Sequence, residues 1–280
     1  MLFLATPNPP NQVRYITTMN IHPTAIIHPD AQLAEGVEVQ AFSIIGPHVK
    51  IGAGTVIGPH CVIDGNTTIG ERNMFFSGSQ VGVLSQDLKH GEDLVGTTII
   101  GDENQFREHT SVSASTMEED VDDHRVTRVG NSGLFMASSH IAHDCHVGNN
   151  VIMANSVALS GHVDVHDWAI IGGISGVHQF SVVGTMAFIG GMSRVVKDAP
   201  PFMIVEGNPA RCMGLNMVGL KRRGLDKDQR KCVKDMYKIM YRSNLNTTQA
   251  LREIENSVED CNERSVFLDF VRKSARGITK

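Results

Sequence analysis

Residues 139–165 read SHIAHDCHVGNNVIMANSVALSGHVDV, and every sixth position from Ile141 is apolar: Ile141, Val147, Met153, Leu159, Val165. The same beat continues to Val195 through Ile171, Val177, Val183 and Ile189, and reaches back to Phe135 and Val129. Two further runs share it, Ile21 to Val81 and Ile100 to Val112. A period of six matches neither a 3.6-residue helix nor an alternating strand. It matches short strands broken by a turn every six residues, the hexapeptide pattern of a parallel β-helix. Gly often follows the beat, as at Gly46, Gly52, Gly58, Gly148, Gly172, Gly184 and Gly190. There it is expected to supply the unusual backbone angles that tight turns require.

This repeat resembles that of the hexapeptide acyltransferases. The resemblance implies a left-handed coil of three hexapeptides, so eight to nine coils would stack into a prism roughly 40 Å long. The beat lapses between Val81 and Ile100, and again between Val112 and Val129. Two loops should protrude there. The first carries Gln86, Asp87, Leu88 and Lys89. The second is acidic (Glu118, Glu119, Asp120, Asp122, Asp123) and is expected to be mobile. Residues 1–18, with Pro7, Pro9 and Pro10 and no periodicity, read as a disordered tail ahead of Met19.

The β-helix is assigned to residues 19–205, with Pro200-Pro201 expected to stop any further strand. Residues 206–280 read as a helical domain. Val233, Met236, Tyr237, Met240 and Tyr241 recur at helical spacing, as do Leu251, Ile254 and Val258, and then Val266, Phe267, Phe270 and Val271. Three short helices are expected, the last with Asn262 as its N-cap, covering the open end of the solenoid. The fold expected is thus an all-β left-handed parallel β-helix with a C-terminal α-helical domain.

A chain of 280 residues can bury a large core without disulfide staples. Its five cysteines (Cys61, Cys145, Cys212, Cys232, Cys261) include no C-x-x-C pair and are odd in number. That suits a reducing, cytoplasmic location. No apolar run is long enough to span a membrane, and MLFLA at the start lacks the basic region of a signal peptide. Residues 221–280 hold 15 Lys and Arg against 9 Asp and Glu, whereas the preceding residues hold 10 against 21. A basic terminal domain on an acidic prism fits an acidic docking partner, or simply a solvated helical surface.

His143 stands two residues after the beat at Ile141. A histidine exchanges protons near neutrality, which makes it the candidate general base. Counting 18 residues, one coil, from His143 reaches Gly161, and the next coil reaches Gln179. The three should stack in one column, with His162 and His178 beside it. A glycine next to the base leaves its backbone N–H open to a developing oxyanion. The constellation suits acyl transfer to a hydroxyl without a covalent enzyme intermediate, and no cofactor or metal is expected. Two other readings stay open: His140, His143, His146 and His162 as zinc ligands, and a non-catalytic scaffold. Gly172-Gly173 and Gly190-Gly191 lie one coil apart and should stack into a groove wide enough for a hydrocarbon chain.

The motifs HIAHDC, LSGHV (159–163), GVHQF (176–180), QDLK (86–89) and NMVGLKRRG (216–224) narrow the resemblance. Over about residues 19–280 the chain resembles the UDP-N-acetylglucosamine acyltransferases of lipid A biosynthesis. The resemblance implies transfer of an (R)-3-hydroxyacyl chain from acyl carrier protein to the sugar 3-hydroxyl by a homotrimer, with neither nucleic acid nor a membrane span involved. It assigns His143 as base, Asp144 as its orienting partner and the Gly161 N–H as oxyanion donor. It places Asp87, Lys89, His140, His162, His178 and Gln179 around the sugar and diphosphate. Asn216, Arg222 and Arg223 fall at the uridine phosphate end, and Gly191 at the end of the acyl channel. Ser113 and Val218 stand where the family pattern carries a histidine and, often, a glutamate, which leaves an amino-sugar acceptor within the same mechanism.

Overall fold

The computed structural model describes residues 20–88, 96–116 and 126–280. The N-terminal tail, Lys89 and the acidic stretch 118–123 lie outside the described residues. Each hexapeptide contributes a strand of about two residues, and the strands stack into three parallel sheets. The first sheet begins at Asn20–Ile21, the second at Ile26–Ile27 and the third at Gln32–Leu33. Partners across a coil are 18 residues apart, as in Ile141 with Leu159, Val147 with Val165 and Met153 with Ile171. The column predicted from the sequence therefore exists.

The beat residue points inward and its predecessor outward, since successive side chains on a strand face opposite ways. Ile45 is buried while Ile44 is exposed. Within the prism Phe75, Phe106 and Phe135 stack, with successive ring centroids 4.7 Å apart. Outside, one corner carries a ladder of side chains accepting backbone N–H groups. The N–H of Glu71 donates to Asp102 (2.7 Å), that of Asp102 to Asn131 (2.7 Å), that of Asn131 to Asn149 (2.9 Å) and that of Asn149 to Asp167 (2.7 Å). Each rung satisfies a turn donor that no strand partner reaches.

The glycines after the beat serve a different purpose from the one expected. Positive φ occurs three residues after the beat, mostly at non-glycine residues such as Phe42, His60, Asp144, His162 and Trp168. The glycine directly after the beat is needed because coils approach closely there. A Cβ on Gly52 would lie 2.6 Å from the Gly70 carbonyl carbon, and one on Gly172 would lie 2.6 Å from the Gly191 nitrogen. No side chain fits in that space.

Strands also continue past Pro200-Pro201. Met203–Gly207 pairs with the Phe188–Ile189 strand of the first sheet and turns back as an antiparallel partner, Ala210–Leu215. The prolines fall between strands, where no ladder donor is lost. The hairpin spans the 205/206 division, and helices begin only at α1 (Met217–Arg222). Then come α2 (Lys227–Arg242), α3 (Thr247–Ser257) and α4 (Asn262–Lys273), so the helices number four among the described residues. Asp226 and Asn246 close capping boxes at α2 and α3. Cys261, not Asn262, is the N-cap of α4. It forms a disulfide with Cys232 of α2, a pairing across 29 residues that no spacing rule signals. Cys61, Cys145 and Cys212 are free. The predicted helical stripes form a shared core around Val233, Met236, Ile254 and Phe267. The last coil is covered by the hairpin and by the C-terminal residues, where Asp198 bridges Ile278.

Candidate active site

Three corners separate the three walls, and they divide the expected site residues. His143, leaving the strand His140–Ile141 of the second sheet, turns toward the third sheet at His146–Val147. Gly161-His162 and Gln179-Phe180 occupy the same turn one and two coils on. Gly173 and Gly191 sit at the corner between the first and second sheets. Asn216 and Arg223 pack against the corner between the third and first, through Met186 and Trp168.

At the first corner Asp144 is buried, 4% exposed as a residue, and its carboxylate lies 2.7 Å, Oδ2 to Nδ1, from His143. Asp144 holds φ at +57°, a left-handed geometry that Asp adopts more readily than most residues. Burial pushes its carboxyl up, but hydrogen bonds from His143 and Thr116, and the charge His162 carries once protonated in acid, outweigh it and hold it below the usual carboxylate range. An ionised carboxylate only accepts, so Nδ1 of His143 carries the proton and Nε2 presents a lone pair. That lone pair lies against Gly161: a Cβ there would be 2.5 Å from Nε2. Among the described residues, no acceptor takes the Gly161 N–H.

The corner opens on a cavity of about 550 Å³ whose lining includes Asp87, Ser113, His140, His143, His162 and Gln179. His162 approaches Asp144 (3.7 Å from Nε2 to Oδ2) and stacks against Phe180 at 4.6 Å. His140 hydrogen-bonds with Ser111 at 2.8 Å. Burial lowers both imidazoles, with His143 lowering them further and Asp144 partly opposing this at His162. Both are therefore uncharged donors or acceptors at neutral pH.

His178 is exposed, hydrogen-bonds its Nδ1 to the Gln179 carbonyl and does not line the cavity. Asn216 caps α1, accepting from Gly219 N–H at 3.0 Å while donating to the Met186 carbonyl at 3.0 Å. The Arg223 guanidinium lies 3.9 Å above the Trp168 ring, and burial lowers its pKa. Arg222 is exposed in the last turn of α1, and Val218 is 64% exposed. His146 belongs to the third-sheet wall beside Asp164, so the four histidines do not converge. The donors that do gather are His143, Asp144 and His162, their ligand atoms within 4.8 Å of one another.

Two contributors escaped the sequence. The Thr116 side chain donates to Asp144 Oδ2 at 2.8 Å, and Thr127 Oγ1 accepts the Asp144 N–H at 2.8 Å. Thr127 stands two residues before a beat, an inward position, which was its one legible sign.

Known relatives share this chain nearly end to end. A protein of Herminiimonas arsenicoxydans named acyl-[acyl-carrier-protein]–UDP-N-acetylglucosamine O-acyltransferase is 43% identical over 264 residues, covering 93% of this chain and 99% of the relative. The chain belongs to that family. A namesake from an Anaeromyxobacter strain is 44% identical, over 94% of this chain and all of the relative. Residues 198–279 match a family model described as domain 2 of UDP-N-acetylglucosamine O-acyltransferase. The structure of UDP-N-acetylglucosamine acyltransferase from Francisella novicida superposes with a TM-score of 0.88 at 34% identity, covering 92% of this chain and 93% of that one. That of the Moraxella catarrhalis protein gives 0.87 at 38%, covering 93% and 99%. The prism is the left-handed β-helix of this family, carrying its helical domain at the C-terminal end.

Proposed function

We propose that the protein transfers an (R)-3-hydroxyacyl group from acyl carrier protein to the 3-hydroxyl of UDP-N-acetylglucosamine, the first acylation of lipid A biosynthesis. The observation that carries the mechanism is the His143–Asp144 pair with Nε2 beside Gly161 at the cavity wall. His143 Nε2 takes the proton of the attacking hydroxyl as its oxygen bonds to the thioester carbonyl. The resulting oxyanion accepts from the Gly161 N–H. Collapse expels the carrier thiolate, which regains the proton from His143. Asp144 holds the imidazole in the required tautomer and balances its transient charge. Asp87, His140, His162 and Gln179 contact the sugar and diphosphate from the cavity wall, and His178 and Lys89 are assigned to the same acceptor. Purified protein, (R)-3-hydroxyacyl carrier protein and UDP-N-acetylglucosamine should yield the 3-O-acyl product by mass spectrometry. No product with any acyl length would overturn the assignment.

Asn216, Arg222 and Arg223, assigned to the uridine phosphate end, and Gly191, assigned to the acyl tail, occupy different corners from His143. One extended substrate reaches all three only if another copy of the chain faces the His143 wall. A homotrimer meets that need. Exposed Ile174 (68%) and Met192 (74%), stacked at the glycine corner, support a covered face there. Light scattering should give three times the 30.5 kDa chain mass; a fully active monomer would exclude this assembly. The basic helices would receive the acidic carrier protein. A cytoplasmic location belongs to the same reading, and among the described residues no helix is long and apolar enough to cross a membrane.

The acyl chain is expected to run past the stacked Gly173 and Gly191. A Cβ on Gly191 meets only the Gly173 backbone, at 3.4 Å or more, so a larger side chain is accommodated and projects from the wall. Each methylene excluded from an apolar groove forfeits about 0.8 kcal/mol. Gly191→Met should therefore shift preference from long to short hydroxyacyl donors. An unchanged ranking across a donor panel would remove Gly191 from the channel.

A further inference from the structure

The best-anchored group at the corner is the carboxylate behind the base. Asp144 receives four hydrogen bonds or close approaches from three directions. His143 approaches Oδ2 at 2.7 Å from its own turn. Thr116 approaches twice from the second-sheet side, its side chain on Oδ2 at 2.8 Å and its N–H on Oδ1 at 3.2 Å. His162 lies 3.7 Å away on the turn above. Below, Thr127 Oγ1 fixes the Asp144 backbone N–H at 2.8 Å. Thr116 thus grips both carboxylate oxygens, so it restrains the rotation of the plane that aims Oδ2 at His143. A free carboxylate on a turn could rotate about its last torsion, and the imidazole would turn with it.

We infer that Thr116 is a positioning residue for the proposed acyl transfer, clamping the Asp144 carboxylate so that His143 keeps its proton on Nδ1 and its lone pair toward the acceptor. The inference rests on the reading of His143 as base. Thr116 also moderates the carboxylate. Hydrogen bonds spread the charge of Oδ2, so the oxygen binds the Nδ1 proton less tightly than a bare buried carboxylate would. With the hydroxyl removed, Asp144 becomes the stronger acceptor, the imidazolium form of His143 is favoured, and the base is lost at a higher pH. The other titratable groups around the pair are His140 on the strand, the buried Cys145 thiol next to Asp144, His162 on the next turn, and Asp87 and Asp164 farther out. The substitutions at Thr116 replace none of these groups.

Thr116→Val keeps the shape and removes the hydroxyl, while Thr116→Ser keeps the hydroxyl. Turnover of Thr116→Val should fall about tenfold, the worth of one hydrogen bond to a charged group, with KM for the nucleotide within about twofold. The acid limb of its kcat–pH profile should move to higher pH. Thr116→Ser should restore both features, and thermal midpoints of the two should agree. A Thr116→Val enzyme with wild-type turnover and profile would overturn the inference. So would a loss of turnover with an unmoved profile, or one that Thr116→Ser shares, because either marks a merely structural residue. If Thr116→Val does not fold, Thr116→Ala replaces it under the same criteria. His143→Ala separates the two levels: an active His143→Ala enzyme refutes the base itself, whereas an inactive one beside a normal Thr116→Val refutes only the clamp.

Discussion

His143→Ala should lower kcat by about 10²–10⁴-fold, the usual worth of a positioned general base, while affinity for UDP-N-acetylglucosamine changes little. The split follows from where the two tasks reside. In the proposed reaction, proton acceptance belongs to Nε2 of one imidazole, whose tautomer is set by the 2.7 Å contact between Nδ1 and Asp144. The proposed ligand contacts are spread over a cavity wall that also includes Asp87, His140, His162 and Gln179. Removing the ring leaves those groups in place and even widens the cavity. His162 stands 5.2 Å from the His143 ring, centroid to centroid, but edge-on at 90°. It stacks against Phe180 and cannot swing into the vacated position without leaving that ring. Steady-state kinetics together with calorimetric titration of the nucleotide would check both halves. Turnover near wild type would require a different base.

Gly161→Ala should be nearly as damaging, by about 10²-fold in kcat, although it alters no polar group. The added methyl would lie 2.4 Å from Cε1 and 2.5 Å from Nε2 of His143. Carbon atoms do not approach so closely, so the imidazole must move by the order of an ångström, a displacement that can cost two orders of magnitude in rate. The backbone at residue 161 does not adopt positive φ, so alanine adds no torsional strain of its own. The thermal midpoint should therefore change far less than turnover does. A Gly161→Ala enzyme as active as wild type would show that the imidazole position observed here is not the one used in turnover.

The two variants test residues that the sequence placed together and whose spacing explains why it could. A coil of three six-residue steps puts positions 18 apart one above another, so His143, Gly161 and Gln179 are neighbours by arithmetic. Asp144 follows His143 directly, and its orienting contact spans a single peptide unit. Thr116 had no such route to recognition. It lies 28 residues before Asp144, across an interval where the beat is broken, so no period connects the two.

The glycines show a second limit of the pattern. Their recurrence after the beat was visible, but its cause was not. The sequence cannot tell a residue chosen for its backbone angles from one chosen because the next coil passes 2.6 Å from where its Cβ would be. Coil-to-coil distance is a property of the stack. Asn216 and Arg223 show a third: in the structure one caps α1 and the other lies over Trp168, and both uses depend on helix and prism being brought together.

What the sequence by itself determined is whatever a strict period propagates: the parallel β-helix, its inward face, the columns of residues one coil apart, and the helical character of the C-terminal segment. Such features repeat a local rule, and a local rule is written in neighbouring residues. Only the tertiary structure decided the contacts that join unlike pieces. These are the Thr116 grip on Asp144, the hairpin beyond Pro201, the Cys232–Cys261 link, and the division of the candidate site among three corners of the prism. They arise where the chain departs from its period, and there proximity is fixed by how the whole molecule packs.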